Sequence, residues 1–181
     1  NCDASSAMTF ELDKTSFNCS NIGENTIIFT ATDSKGNKVS TSVTVIIEDK
    51  VAPIVVTQNY TAQLDANGNA TITTANINNG SSDNCSIKTI DLDKTTFNCS
   101  NIGVNTVTLT VEDVNGNVAS KTATVTVEDN IAPVISVNNN FTAQLDATGN
   151  TVITAAQINN ATTDNCDASS AMTFELDKTS F

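Results

Sequence analysis

Oxygen-bearing side chains are the groups in this sequence best suited to chemistry, and they stand at a few defined places. In the middle of the chain these residues are Glu48, Asp49, Asp83, Asn84, Asp113, Asn115 and Asn117. Calcium takes roughly six to eight oxygen ligands, with dissociation constants of roughly 10⁻⁴ to 10⁻³ M in extracellular modules. If the fold brings these side chains together, we expect a weak Ca²⁺ site that stiffens the joint between two domains.

The same acidic pattern returns further along the chain. Its members are Glu128, Asp129 and Asp164, followed by Asn165. Turn formation is the alternative interpretation, because Asp and Asn are common in turns and an acidic linker can simply be solvated. The sequence has no D-x-D-x-D-G loop of the EF-hand type, and both interpretations stay open. The related turn from Asp65 is expected at the opposite pole of the fold, as a turn and nothing more.

Five cysteines bear on the compartment in which the chain folds. They fall as Cys2 with Cys19, Cys85 with Cys99, and Cys166, whose partner we expect beyond Phe181. Closing a loop of about 15 residues adds roughly 3 kcal/mol in the chain-entropy model, which matters for a small core. We therefore predict the disulfides Cys2–Cys19 and Cys85–Cys99 and an oxidising, extracellular environment. Reduced buried thiols are the alternative, while zinc is disfavoured because His is absent and no second cysteine pair lies nearby.

Short strand-like segments separated by turns must position these residues. In the middle of the chain the runs of alternating β-branched residues are 54–57, 61–65, 70–73, 87–92, 106–112 and 118–128. The segments DANGN and DVNGN supply Asn-Gly pairs that reverse one strand into the next. The TANIN stretch from Thr74 indicates a helical turn. About seven short strands in about eighty residues predict an all-β fold of tandem immunoglobulin-like Greek-key β-sandwiches.

Internal repetition predicts the domain organisation. Residues 1–17 recur letter for letter as 165–181, and KTSFNCSNIG from Lys14 returns as KTTFNCSNIG from Lys94. We expect a segment of a longer tandem array with a period of about eighty residues. The predicted domains are 1–50 (the C-terminal half of a repeat), 51–130 (a complete repeat) and 131–181 (the N-terminal half of the next). In the complete repeat, one pole of the sandwich gathers the linker and two loops, so the acidic residues are expected to converge there.

The charge balance narrows the classes of partner. Asp and Glu number 20 against 8 basic residues, and the net charge is −12. Nucleic acid and an anionic membrane surface would be repelled, whereas divalent cations would be attracted. No apolar run approaches the length of a membrane span, so we expect no membrane insertion by this segment. Neighbouring repeats of the same chain are the expected partners, with extracellular surfaces or polysaccharide as further candidates.

Four segments carry a resemblance to a known family: EDNIAPVI, SSDNC, TTFNCSNIG and TLTVEDVNGNVAS. They resemble the hyalin-type, immunoglobulin-like repeats of large Bacteroidota surface proteins, including adhesins similar to the cell-surface gliding-motility adhesin. The resemblance covers the whole chain, although half of the second cysteine pair usual in hyalin repeats is missing. It implies a stalk or filament at the cell surface that serves attachment or gliding, with any adhesive or enzymatic heads elsewhere in the parent protein.

Two other classes of function compete with a stalk. An enzyme is disfavoured because the chain has no His, no Arg and no Ser in a nucleophile-elbow or SxxK setting. Paired carboxylates such as Asp91 and Asp93 share a face simply because side chains alternate along a strand. A carbohydrate- or surface-binding module repeated for avidity is the more serious alternative, since Thr- and Asn-rich strands can present a regular hydroxyl face. Sugar sites generally use an exposed aromatic ring, for which Tyr60 and Phe141 are the candidates.

Overall fold

Nearly all regular secondary structure in the computed structural model, which describes residues 8–168 and 171–178, is β-strand. The strands are β1 (Thr9–Leu12), β2 (Gly23–Thr32), β3 (Lys38–Ile47), β4 (Tyr60–Gln63), β5 (Asn69–Thr71), β6 (Ile87–Leu92), β7 (Thr96–Asn98), β8 (Gly103–Asp113) and β9 (Val118–Glu128). The helices are α1 (Thr74–Ile77) and α2 (Ala155–Ile158), and single 3₁₀ turns span Cys19–Asn21 and Cys99–Asn101. The all-β prediction is confirmed. Within the described ranges, no helix is long and apolar enough to cross a membrane.

The chain divides into two compact units. Unit 1 comprises Asn1–Val55, Gly80–Ile90 and Thr110–Ser120, and unit 2 comprises Val56–Asn79, Asp91–Leu109 and Lys121–Phe181. Each unit combines residues from both sides of a predicted repeat boundary. The boundaries near residues 50 and 130 stay a prediction.

A three-stranded antiparallel sheet with the order β1-β2-β3 lies in unit 1. Gly23 lies opposite Ile47 across the β2–β3 pair. The turn between these strands begins at Asp33, whose Oδ1 accepts the backbone N–H groups of Lys35 at 2.9 Å and Asn37 at 2.8 Å. An Asx turn of this kind satisfies amide groups that a tight reversal leaves without partners. The repeated Asp-x-x-Gly-Asn segments therefore fix the strand reversals locally.

The remaining strands form two further sheets with a buried apolar face. One has the order β4-β9-β8-β6, in which β4 runs parallel to β9, and the other pairs β5 with β7 antiparallel. Every second residue is buried along the β8 and β9 segments of unit 2, and apolar side chains from the smaller sheet and from α1 are buried as well. These residues are Val107, Leu109, Ala123, Val125, Val127, Ala70, Ile72, Ile77 and Phe97. Burying one Val, Leu, Ile or Phe side chain contributes roughly 1.5–3 kcal/mol, so this layer is what holds the β-sandwich together.

Several predicted elements coincide with the structure, one predicted strand does not form, and one strand of the structure was not predicted. The bounds of β6 and β9 match the predicted runs, and α1 occupies the predicted helical turn. Residues 54–57 form only isolated bridges, Ile54 with Ser82 and Thr57 with Asn78. Strand β7 was not predicted, because a strand of three residues is too short to show alternation.

Candidate functional site

Three aspartates from separate parts of the sequence meet in unit 1. One carboxylate oxygen from each of Asp49, Asp83 and Asp113 lies within 4.8 Å of the other two. Asp113 is fully buried, with 0% of its surface exposed, and the other two are half-buried. Like charges at this separation repel one another, most strongly where water is excluded. A cation that binds all three removes that repulsion.

Asp113 ends β8 and opens the turn to β9. Its Oδ1 accepts the backbone N–H groups of Asn115 and Asn117, both at 2.8 Å, and its Oδ2 accepts the side-chain amide of Asn117 at 2.7 Å. Burial raises the pKa of this carboxyl, but the hydrogen bonds from Asn117 and Asn115 outweigh burial, and the pKa falls below its ordinary value of 3.8. Asp113 is therefore ionised at neutral pH although it is enclosed by protein.

Asp49 belongs to the segment between β3 and β4 and is held by the turns around it. The Asn115 Nδ2 donates to Asp49 Oδ2 at 3.0 Å, and the Asn84 Nδ2 donates to Asp49 Oδ1 at 3.3 Å. The Asn117 Nδ2 also donates to the Asp49 backbone carbonyl at 3.2 Å. These bonds fix the position of the Asp49 carboxylate relative to Asp113.

Asp83 contributes a carboxylate oxygen that lacks a protein partner. Its Oδ2 accepts the backbone N–H groups of Cys85 at 2.8 Å and Ser86 at 3.1 Å. Its Oδ1 is buried and makes no hydrogen bond to the described residues. A buried carboxylate oxygen without a partner is costly, so this atom calls for a ligand that supplies positive charge.

The donor atoms around this point fit Ca²⁺ better than a transition metal. The three side chains that converge offer carboxylate oxygens, and the Asn115 and Asn117 side-chain nitrogens donate hydrogen bonds to Asp49 and hold it beside the others. No imidazole is present because the chain has no His. Hard oxygen donors with this much negative charge are the set that Ca²⁺ prefers.

Glu48 and Glu128 do not join such a cluster. The Glu48 carboxylate is exposed and forms an ion pair with the Lys50 Nζ at 2.6 Å. The Glu128 Oε2 instead accepts the Gln63 amide at 2.8 Å and the Asn130 amide at 3.4 Å. Adjacent positions on an extended segment point to opposite sides, which explains why the glutamate and the aspartate of each ED pair differ.

The two DNC loops have nearly the same local structure. We call Asp83, Asn84 and Cys85 the first DNC loop and Asp164, Asn165 and Cys166, in unit 2, the second. In the second loop the Asp164 Oδ2 accepts the backbone N–H groups of Cys166 and Asp167, both at 3.0 Å. The Asn165 Nδ2 donates to Asp129 Oδ1 at 3.0 Å, and the Asn165 Oδ1 is buried without a partner among the described residues. Among those residues, Asp129 and Asp164 do not belong to a group of three or more side chains that could hold a metal ion.

The disulfides connect different cysteines from those expected. Cys19 is bonded to Cys85 and Cys99 to Cys166, with sequence separations of 66 and 67. The predicted Cys2–Cys19 and Cys85–Cys99 bonds are both wrong, because Cys19 and Cys85 are bonded to each other. The expectation that the partner of Cys166 lies beyond Phe181 is also wrong, since Cys166 is bonded to Cys99. Cys2 itself lies outside the described residues. Each bonded pair has a Cα–Cα distance of 5.3 Å, within the roughly 4–7 Å of a disulfide, so the fold brings together cysteines that are far apart in the sequence instead of those nearest to each other. Each bond thus joins an FNC motif to the next DNC motif along the chain, 66 or 67 residues later.

The turn from Asp65, which was expected to be only a turn, also packs against the second disulfide. Gly68, at φ +72°, lies so close to the second disulfide that a Cβ atom would stand 2.5 Å from the Cys99 Sγ and 3.0 Å from the Asn165 carbonyl oxygen. The Asn165 Nδ2 also donates to the Asp65 carbonyl at 3.3 Å. No role for Gly68 was predicted, because its segment DANGN has the same turn pattern as DVNGN and DATGN and nothing in the sequence distinguishes it from them.

Comparisons with known proteins give only distant structural similarities. No family model matches the chain, and no curated protein matches it. A structure of an endo-fucoidan hydrolase from glycoside hydrolase family 107 is 14% identical, with a TM-score of 0.33, over 69% of this chain and 24% of that one. A structure of the protocadherin gammaB7 EC3-6 cis-dimer is 18% identical, with a TM-score of 0.37, over 78% of this chain and 46% of that one. The chain therefore spans less than half the length of either.

Proposed function

We propose that this chain is part of the stalk of a long secreted cell-surface adhesin, and that it extends the parent protein from the cell for attachment or gliding. The observation that carries the proposal is the pair of disulfides, Cys19–Cys85 and Cys99–Cys166. Each of them joins an FNC motif to the next DNC motif along the chain. Disulfides of this kind form and persist in oxidising compartments outside the cytosol. Covalent joints at a regular spacing serve extension under load, whereas a ligand site does not need them.

We propose further that Ca²⁺ binds Asp49, Asp83 and Asp113. The three carboxylates converge, and the buried Asp83 Oδ1 has no protein partner among the described residues. Asp49 belongs to the segment that follows one repeat, whereas Asp83 and Asp113 belong to the next. A bound cation therefore restricts the hinge between them, as a rigid stalk requires.

Immunogold labelling of intact cells that express the parent protein tests the stalk. Antibodies raised against this chain should decorate filaments that extend from the surface, at regular intervals along their length. A non-immune serum and cells that lack the parent gene provide the controls. Label confined to the cell interior would refute the proposal. Saturable binding of the purified chain on a glycan array, with label close to the surface only, would favour the carbohydrate-binding module instead.

A further inference from the structure

The two disulfides create a short path of covalent bonds along a long polypeptide. The Cys19–Cys85 bond closes a loop with a sequence separation of 66, and the Cys99–Cys166 bond closes the next loop with a separation of 67. The loops follow one another without overlap, and only the segment from Cys85 to Cys99 lies between them. A walk along covalent bonds from Cys19 to Cys166 therefore needs two disulfides and about 14 residues of backbone, at most about 50 Å of chain.

We infer that tension along the oxidised array passes through this short path and bypasses the parts of the fold that lie inside the two disulfide-closed loops, an inference that rests on the stalk function proposed above. Each disulfide replaces a loop that would reach about 220 Å if fully extended by a Cα–Cα distance of 5.3 Å. Unfolding of the residues inside a loop does not lengthen the path, because their two ends stay bonded. The oxidised array is thus nearly inextensible even where its sandwiches are unfolded.

Most of the segment that carries the load is already extended in the folded state. It contains β6, with six residues, and β7, with three. Strand backbone rises by about 3.3 Å per residue, close to the limit for a stretched chain. Each of these strands therefore gains little length along its own axis when it is pulled.

The candidate calcium ligands lie inside the protected loops. Asp49 and Asp83 belong to the loop closed by Cys19 and Cys85, and Asp113 belongs to the loop closed by Cys99 and Cys166. None of the three is on the load-bearing path, so tension does not run through the backbone of any of the ligands. Stiffness and tensile strength are in this way assigned to different parts of the chain.

Single-molecule stretching of the full 181-residue chain, held by handles at its two termini, tests the inference. Peptide mapping without reductant first identifies the bonded cysteines. The oxidised chain should show no release of length approaching 220 Å at any force below bond rupture. Addition of a phosphine reductant to the same stretched molecule should release about 450 Å, the extended length of both loops, in two nearly equal steps.

Two variants check the assignment of the steps. Cys19→Ser should free the first loop and Cys166→Ser the second, each adding about 220 Å in the absence of reductant. Reduction of the wild-type molecule needs no variant to fold, so it remains decisive if either substitution impairs folding. A reductant-dependent release of only about 50 Å would indicate a Cys85–Cys99 bond and overturn the inference. Failure of surface labelling with two intact steps would instead reject the stalk and keep the load path.

Discussion

The first and second DNC loops share a sequence and a local structure but differ in what lies against them. Asp83 and Asp164 each accept two backbone N–H groups, and Asn84 and Asn165 each donate to the aspartate of an ED pair. The first loop lies beside the Asp113 carboxylate, whereas the second lies beside the Asp65–Asn69 turn and its glycine. Local sequence thus builds the loop, and a distant turn decides whether the loop lies in a cluster of carboxylates or in a close-packed joint.

Removal of a disulfide should cause the largest loss of stability, and the two losses should be equal if the two disulfide-closed loops contribute equally to stability. Cys19→Ser and Cys99→Ser each open a loop of similar length, for which the chain-entropy model gives about 4 kcal/mol of lost stability. Denaturant titration of both variants and of the reduced wild type measures the loss. A large loss in only one variant would break the equivalence, and the reduced wild type should lose more than either variant.

The stability loss caused by Gly68→Ala should distinguish the turn packed against the second disulfide from an ordinary turn. A Cβ at Gly68 meets the Cys99 Sγ at 2.5 Å, whereas a Cβ at Gly149, in the same turn pattern with a similar φ of +76°, meets nothing within 4 Å. Both substitutions carry the cost of a positive φ, of order 1 kcal/mol, and only the first adds an overpacking cost of roughly 1–3 kcal/mol. Thermal or denaturant unfolding should therefore rank Gly68→Ala well below Gly149→Ala. Equal losses would show that the turn from Asp65 has no special role.

Calcium should stabilise through the first DNC loop and not through the second. At a free Ca²⁺ concentration ten times the dissociation constant, binding to the native state adds about 1.4 kcal/mol to the free energy of unfolding. Asp83→Asn removes one of the three converging carboxylates and should abolish this gain, while Asp164→Asn, the matched change in the second loop, should preserve it. Unfolding curves in millimolar CaCl₂ and in excess EGTA measure both. The same gain in wild type and Asp83→Asn would disprove the assigned site.

Acid should weaken the turn from Asp113 by the smallest amount of the four. The pKa of Asp113 lies below 3.8 in the folded chain, so its ionised form stabilises the fold at pH values above 3.8. That contribution is lost as the pH falls through the lower, folded-state pKa. The pKa of Asp146 is lowered as well, chiefly by hydrogen bonds from Asn150 and Thr148. In EGTA, Asp113→Asn should flatten the fall of stability between pH 4 and about pH 2, and an unchanged slope would contradict this assignment.

The strands and the acidic residues were predictable because their signals are local. Alternation alone gave the bounds of β6 and β9, and Asp-x-x-Gly-Asn segments indicated the turns. The meeting of Asp49, Asp83 and Asp113 followed from the expected topology of the sandwich.

The cysteine pairing and the role of Gly68 could not be read from the sequence because both depend on contacts between distant segments. Chain entropy favours a short loop between Cys85 and Cys99, but it does not depend on where the fold places the two cysteines. The Glu48 carboxylate was counted with its neighbour Asp49, although alternation turns it towards Lys50. Gly68 belongs to a turn whose sequence matches two others, and only the approach of Cys99 makes it different.

The direction of the cysteine pairing has a consequence for how such a gene can change. Every FNC cysteine described here bonds to the DNC cysteine that follows it about 66 residues later, so the pairing rule depends only on order and spacing. Recombination that inserts or deletes a whole period leaves every thiol with a correctly placed mate. Copy number is then free to drift, and the length of the repeat array becomes a heritable trait that selection can adjust in single steps.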